Sequence, residues 1–241
     1  SASGARAVVA WTWFVPDFAV GAAVRLHGQW QPSVRVSGAG RPAKLSSVAM
    51  AGGGGSVLVG WTRASAPSGY DLAEARRWTS QRWGPVIMLA PAAQHPAVAI
   101  SDDGTRSVAT WRMWRGAGNR RSEAAMALGD SWSMPVALTG VSNVRLHRVS
   151  LAASGGRALA AWHRLDTSAD GWVAASWDGT MPRAVTTVAG WPRGPVVARS
   201  RSGGQRMVAF VVRATPARLR TGVLQVRRCG ATTPCRWVAA S

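Results

Sequence analysis

Arginine and aromatic residues occur side by side where several apolar runs end, and this pairing is the chemistry-bearing feature of the sequence. His163-Arg164 follows such a run directly, and Trp114-Arg115 follows another after two intervening residues. An aromatic face can stack on a sugar ring while a guanidinium holds a carboxylate or sulfate through paired hydrogen bonds. The same side chains are also common at protein interfaces. The candidate ligand-binding residues are Trp13, Arg63, Arg112, Trp114, Arg115, Arg145, His163, Arg164, Trp191 and Arg193.

Arrangements typical of catalysis or metal binding are weakly represented. The four histidines have no metal-ligand spacing, and no Gly-x-Ser-x-Gly sequence marks a nucleophilic serine. The glycines at 52–55 lack the Gly-Lys-Ser/Thr ending of a phosphate loop, so they indicate a tight turn. Asp102-Asp103-Gly104 is likewise interpreted as a turn and not as a calcium site. We therefore expect no catalytic residues, no metal and no cofactor.

The two cysteines suggest a disulfide. Cys229 and Cys235 are separated by Gly-Ala-Thr-Thr-Pro, a run of turn-forming residues that suits a hairpin loop. Closing that loop with a disulfide would stabilise the chain by roughly 2 kcal/mol. Disulfides persist in oxidising compartments, which predicts a secreted or cell-surface protein. The alternative, a metal site, would need further ligands that the neighbouring sequence does not supply.

The elements that must position these residues repeat about every fifty residues. An aromatic residue closes a short apolar run in each copy, at Trp11, Trp61, Trp111, Trp162 and Phe210. A repeat of this length is typical of propellers and related arrays. The segments are too short for independent helices, and glycine turns separate them. The copies cover approximately residues 1–40, 41–91, 92–141, 142–190 and 191–241 of a single domain.

Each copy contains up to four strand-like segments, which predicts an all-β fold. The third segments are expected at 19–26, 71–78, 123–128, 171–177 and 221–226, and most fourth segments begin with proline. The sequence favours a β-propeller of about five four-stranded blades. The first copy lacks a first segment. That strand was either lost, or the chain is a stretch of a larger, six- or seven-bladed propeller.

One turn carries a family resemblance. Gly129-Asp130-Ser131-Trp132, followed by Ser133-Met134-Pro135-Val136, resembles the end of the Asp-box hairpin of sialidase-like propellers, Ser-x-Asp-x-Gly-x-Thr-Trp with Ser-x-Pro-Val after it. Ala125 and Ala127 stand where the family has Ser and Asp. The resemblance implies propeller architecture, with the box as a structural turn.

A sialidase-type enzyme is a further alternative that the same resemblance raises. It would imply three arginines, a tyrosine nucleophile with a glutamate partner, and an aspartate acid/base. Tyr70 is the only tyrosine, and Glu74 and Glu123 are the only glutamates. No position matches a catalytic motif of that family residue by residue, so Tyr70 is more simply interpreted as an aromatic that anchors a loop.

The charge balance points to acidic partners. Lys and Arg total 29 against 10 Asp and Glu, giving a formal net charge of +19, and Lys44 is the only lysine. A surface this basic attracts polyanions in a salt-dependent way. The sequence contains no apolar run of about eighteen residues, so we expect no membrane span. The oligomeric state is left open by the sequence.

The loops after the second and fourth strands of each blade would share one face, which contains most of the irregular Arg and Trp residues. The leading hypothesis is an exported, non-catalytic module that recognises anionic carbohydrate through this loop face. A structural subunit that binds acidic protein surfaces is the first alternative. Nucleic acid is a further alternative, which the predicted disulfide and the lack of a recognisable nucleic-acid module disfavour.

Overall fold

The structure, a computed structural model, describes residues 6–14, 18–65, 70–79, 82–116 and 120–138 in full. Beyond residue 138 it describes the backbone of eight strands between residues 144 and 239. Every described element is a β-strand, which confirms the all-β prediction. The strands form five antiparallel sheets, numbered here first to fifth in chain order.

In the first two sheets, strands that are adjacent in sequence are also paired, as in a chain of hairpins. In the first sheet, β4 pairs with β2 beside β3, and β1 lies at the edge. The first sheet contains β1 (Ala7–Trp13), β2 (Ala19–Leu26), β3 (Gln29–Trp30) and β4 (Val34–Arg35). The second sheet contains β5 (Ala43–Met50), β6 (Ser56–Arg63), β7 (Leu72–Thr79) and β8 (Arg82–Ala90).

The third to fifth sheets repeat this hairpin order. The third contains β9 (Ala93–Ile100), β10 (Arg106–Trp114), β11 (Arg120–Leu128), β12 (Ser131–Trp132) and β13 (Val136–Ala137). The fourth contains β14 (Val144–Leu151), β15 (Ala158–Arg164), β16 (Gly171–Trp177) and β17 (Pro182–Ala189). The fifth contains β18 (Pro192–Arg199), β19 (Arg206–Arg213), β20 (Gly222–Cys229) and β21 (Arg236–Ala239).

The outer strands of the first and third sheets are each split into two short pieces. β3 and β4 are separated by a gap that contains Pro32, and β12 and β13 by a gap that contains Pro135. Proline has no backbone N–H to donate to the neighbouring strand, so pairing is interrupted there. These two pairs of strands therefore correspond to the proline-led fourth segments expected from the sequence.

Two of the repeated aromatic residues form the core between neighbouring sheets. Trp61 and Trp111 are completely buried at equivalent positions of β6 and β10. The cluster around Trp61 includes Val20 and Val24 of the first sheet, and the cluster around Trp111 includes Leu58 of the second sheet. Each tryptophan thus fills the space between its own sheet and the preceding one, as the buried Trp-ended strands predict.

A threonine side chain ties the first sheet to the second, and another ties the second sheet to the third. The Thr12 hydroxyl accepts a hydrogen bond from the Leu45 amide at 3.1 Å, and the Thr62 hydroxyl accepts one from the His95 amide at 2.8 Å. Both amides lie where the first strand of the sheet shifts register against the second. A bulge leaves an amide outside the ladder, and the threonine of the preceding sheet satisfies it.

Candidate functional site

The loop ends of the second and third sheets enclose a groove with two adjoining cavities. The first cavity has a volume of about 180 Å³ and the second about 190 Å³, and Asp71 and Gln94 line both. The first cavity is lined by Tyr70, Asp71, Ala92, Gln94, Arg112, Trp114 and Arg120. The second is lined by Phe18, Pro42, Ala43, Lys44, Thr62, Ala64, Asp71, Gln94 and His95.

A chain of hydrogen bonds fixes the wall that the two cavities share. The Arg112 guanidinium donates to Gln94 Oε1, and Gln94 Nε2 donates to Asp71 Oδ2. The backbone supports this chain, because the Ala93 amide donates to the Asp71 carbonyl at 2.9 Å. The three polar side chains are therefore oriented by the fold before any ligand arrives, which lowers the entropy cost of binding.

The first cavity has aromatic side chains beside two guanidinium groups. The rings of Tyr70 and Trp114 lie 6.5 Å apart with a tilt of 39°. The Arg120 guanidinium carbon lies 4.9 Å from the centre of the Trp114 ring, a cation–π contact. Tyr70 is 46% exposed, so part of this aromatic surface faces solvent. The cavity can therefore offer an apolar face and positive charge to one small group.

The second cavity contains Lys44 and His95. His95 belongs to the bulge in β9 and has a positive φ of 52°, which turns the residue out of the regular strand. The pKa of His95 is lowered by partial removal of its ring from water and then by the positive charges of Arg112, Lys44 and Arg120, against the opposing effect of Asp71. The imidazole is therefore neutral at neutral pH.

Two of the arginines that the sequence singled out bind buried glutamates. Glu74 accepts a 2.8 Å hydrogen bond from the Trp61 indole and another of 2.8 Å from Arg63 Nε, with Arg63 Nη2 at 2.6 Å. Arg63 therefore binds a core carboxylate, and the structure does not bring it among the residues lining either cavity.

The third sheet repeats this arrangement around the second glutamate. Glu123 accepts from the Trp111 indole at 3.3 Å and from Arg115 Nη2 at 2.8 Å, and it also pairs with Arg121. Glu123 is 2% exposed, so the guanidinium groups neutralise a buried charge. Arg115 therefore contributes to the structure of the sheet, whereas Arg112 and Trp114 line the first cavity.

Trp13 lines neither cavity, and the side chains of the remaining candidates lie outside the described part of the chain. Trp13 packs edge to face against Trp11, with ring centres 5.6 Å apart. Arg145 and His163 are opposite each other in β14 and β15, and Arg164 ends β15. Arg193 lies in β18, opposite Val211 of β19. Trp191 and Cys235 fall outside the described residues, so the Cys229–Cys235 disulfide stays a prediction.

The turn interpreted at Asp102-Asp103-Gly104 has the expected structure. Asp103 accepts from the Ser101 hydroxyl at 2.6 Å and from the Thr105 amide at 2.9 Å, and these bonds lower its pKa. Gly129, with a φ of 60°, lies in the turn between β11 and β12. Among the fully described residues, no group of three or more acidic, histidine or cysteine side chains comes together to hold a metal.

Sequence reasoning missed most of the polar residues that line the groove. Asp71 and Gln94 belong to no motif. They come together only because the end of the β6–β7 connection and the start of β9 lie at the same end of neighbouring sheets. Tyr70 has its ring 6.5 Å from that of Trp114. The usable signal is positional, since the candidates Arg112 and Trp114 fall on the predicted loop face.

Comparison with solved structures identifies proteins that have a similar fold. No family model matches the sequence, and no curated protein matches it. Among solved structures, hydrazine synthase of Kuenenia stuttgartiensis superposes with a TM-score of 0.58 at 10% identity, covering 91% of this chain and 59% of that one. The β-propeller domain of the trilobed protease of Pyrococcus furiosus gives a TM-score of 0.53 at 12% identity, covering 83% of this chain and 57% of that one.

A lectin mutant from Aleuria aurantia in complex with α-methyl-L-fucoside gives a TM-score of 0.54 at 13% identity, covering 98% of this chain and 77% of the lectin. The chain spans less than two thirds of the length of the first two structures. These likenesses and the hairpin-ordered sheets define an all-β protein with the β-propeller fold, which confirms the predicted architecture. Within the described residues, no helix has the length and apolar character needed to cross a membrane.

Proposed function

We propose that the protein is a non-catalytic binding module that recognises anionic carbohydrate in the first cavity. The observation that carries the proposal is the convergence of Trp114 and Tyr70 with Arg112 and Arg120 around one small space. Aromatic faces stack on the C–H surface of a sugar, and guanidinium groups bind carboxylate or sulfate with directional hydrogen bonds. The combination selects a sugar that carries a negative charge.

The size of the cavity favours a small group over an extended protein surface. Its volume of about 180 Å³ is below the ~300–1,000 Å³ typical of pockets that take drug-sized ligands. One sugar residue of a longer glycan matches this space, whereas a protein interface buries a broad area. The high positive charge of the chain would add long-range attraction to acidic glycans.

A protein-binding subunit is the second candidate function. Exposed apolar side chains support it, since Met88, Leu128 and Met134 are 60%, 63% and 84% exposed. A sialidase-like activity, with the turn at Gly129–Asp130 as a degenerate Asp-box, receives less support. The two glutamates that could assist Tyr70 are buried and already bound to tryptophan and arginine side chains.

We extend the proposal to the organisation and location of the protein. The five sheets act as one domain, and the predicted Cys229–Cys235 disulfide supports a location outside the cytoplasm. The test of the function is a glycan array read at low and at physiological salt. Binding to uronic-acid or sulfated glycans that survives physiological salt supports the proposal, and the absence of acidic-sugar binding even at low salt contradicts it.

A further inference from the structure

The groove continues beyond the cavity used in the proposed function. The second cavity adjoins the first across Asp71 and Gln94 and is of similar volume. Lys44 and His95 line it, so basic side chains are present on both sides of the shared wall. One sugar in each cavity and one over the shared wall match a linear ligand of at least three units.

The shared wall carries the opposite charge. Asp71 accepts one hydrogen bond from Gln94, and a carboxylate has about four acceptor positions, so it can accept further donors. A negative charge at this point repels a ligand that is anionic along its whole length. It attracts hydroxyl groups, which donate to a carboxylate. The groove therefore alternates between positive, negative and positive along its length.

We infer that the groove binds an acidic oligosaccharide with negative charges in both cavities and a neutral, hydroxyl-bearing segment over Asp71. This inference rests on the proposed function and deepens it, because it specifies the length and charge pattern of the ligand. A nucleic acid or polyphosphate carries a negative charge on every unit, so the Asp71 carboxylate would repel the unit that lies over it. An oligosaccharide in which uronic acids alternate with neutral sugars has the required pattern.

The experiment compares two ligands on the full chain by calorimetric titration. One is a tetrasaccharide of alternating glucuronate and N-acetylglucosamine, and the other is methyl glucuronide. We expect the tetrasaccharide to bind about tenfold more tightly at physiological salt, because it fills both cavities. Lys44→Gln should weaken the tetrasaccharide by up to about fivefold and leave methyl glucuronide unchanged, since one exposed ion pair contributes at most ~1 kcal/mol.

A matched variant controls for the overall charge of the protein. Arg82 is an exposed residue at the start of β8, at the end of the sheet opposite to the groove, and Arg82→Gln removes the same charge. It should leave both affinities unchanged. A neutral chitin tetrasaccharide should bind more weakly than the acidic one, because it offers nothing to the basic side chains.

The outcomes separate the inference from the proposed function. Equal affinity for both acidic ligands, with no effect of Lys44→Gln, would overturn the extended groove and leave the single-sugar site standing. Failure of both acidic ligands to bind would overturn the proposed function as well. Tighter binding of a thymidine oligonucleotide or of tripolyphosphate than of the tetrasaccharide would overturn the charge pattern, and with it the assignment to carbohydrate.

Discussion

The indole N–H of Trp61 donates a 2.8 Å hydrogen bond to the carboxylate of Glu74, and both side chains are buried. The two residues are direct register partners in β6 and β7. Trp111 and Glu123 have the same relationship in β10 and β11. Since these are the only glutamates of the chain, the acidic side chain is used twice for the same structural purpose.

Removing the carboxylate from this cluster should destabilise the protein strongly. Glu74→Ala leaves the Trp61 indole without its acceptor and Arg63 without its partner, so we expect a loss of about 2–4 kcal/mol in the free energy of unfolding. Urea denaturation measures this loss of stability. Glu74→Gln should cost less, because its amide oxygen still accepts from the indole. Asp130→Asn is the control: its exposed carboxylate lies 4.0 Å from the buried Arg77 guanidinium, and its loss should change stability by less than ~1 kcal/mol.

A single glycine in the first sheet makes room for the repeated tryptophan. A Cβ atom on Gly21 would lie 2.9 Å from the Trp11 ring, its register partner. Gly21→Ala should therefore lower the free energy of unfolding by about 1–3 kcal/mol through overpacking. Gly38→Ala is the matched control, because its Cβ would meet nothing within 4 Å. Equal stabilities of the two variants would contradict the close packing.

The aromatic surface of the first cavity should dominate affinity for an acidic sugar. Trp114→Ala removes the ring that contacts both Tyr70 and Arg120, so we expect affinity to fall by about tenfold or more. Trp30→Ala is the matched control, since Trp30 is 51% exposed on the outer strand β3. Calorimetric titration of both variants checks the result. A Trp114→Ala variant that binds normally would remove the aromatic basis of the site.

The guanidinium of Arg120 should contribute a salt-dependent part of the binding energy. Arg120→Gln removes a positive charge that lines the first cavity, and we expect about a three- to tenfold weaker affinity at low salt. The difference from the wild type should shrink as salt rises, because ions screen the lost charge. Arg106→Gln, at the opposite end of β10, provides the comparison. The same salt dependence in both variants would indicate unspecific attraction.

Acidification should strengthen binding at the second cavity. The pKa of His95 lies below its usual value of about 6.5, so the free imidazole is neutral at neutral pH. A bound anion favours the protonated ring, and binding therefore takes up a proton and tightens as pH falls from about 7.5 to 5.5. Arg112, Lys44 and Arg120 oppose this protonation, and Asp71 assists it.

The same lowered pKa makes a prediction for the protein without ligand. As pH falls below about 6.5, the unfolded chain takes up a proton at His95 before the folded protein does, so His95 lowers stability in that window. His95→Asn should remove both pH effects, and asparagine tolerates the positive φ of this position. His27→Asn is the control, because His27 also has a positive φ but lies in the β2–β3 turn. Unchanged pH profiles in His95→Asn would exclude this histidine as the cause.

The comparison of sequence and structure is most instructive at equivalent positions of the repeat. The third strands lie within a few residues of their predicted bounds, because apolar runs and glycine turns are local properties of the chain. Leu45 and His95 occupy the same bulge in successive repeats, yet only the bonding pattern between sheets makes that visible. Bulges depend on pairing between strands, which single segments do not encode.

The sequence by itself determined the architecture, because a constant spacing of aromatic residues indicates a repeated unit and the short apolar segments admit only strands. Trp61 and Trp111, at equivalent positions of that unit, are both buried between sheets. It also indicated the end of the sheets at which irregular Arg and Trp residues collect. The tertiary structure alone decided which arginines face the groove. Arg63 and Arg115 bind buried carboxylates while Arg112 and Arg120 line a cavity, since a side chain's environment depends on contacts between residues far apart in the chain.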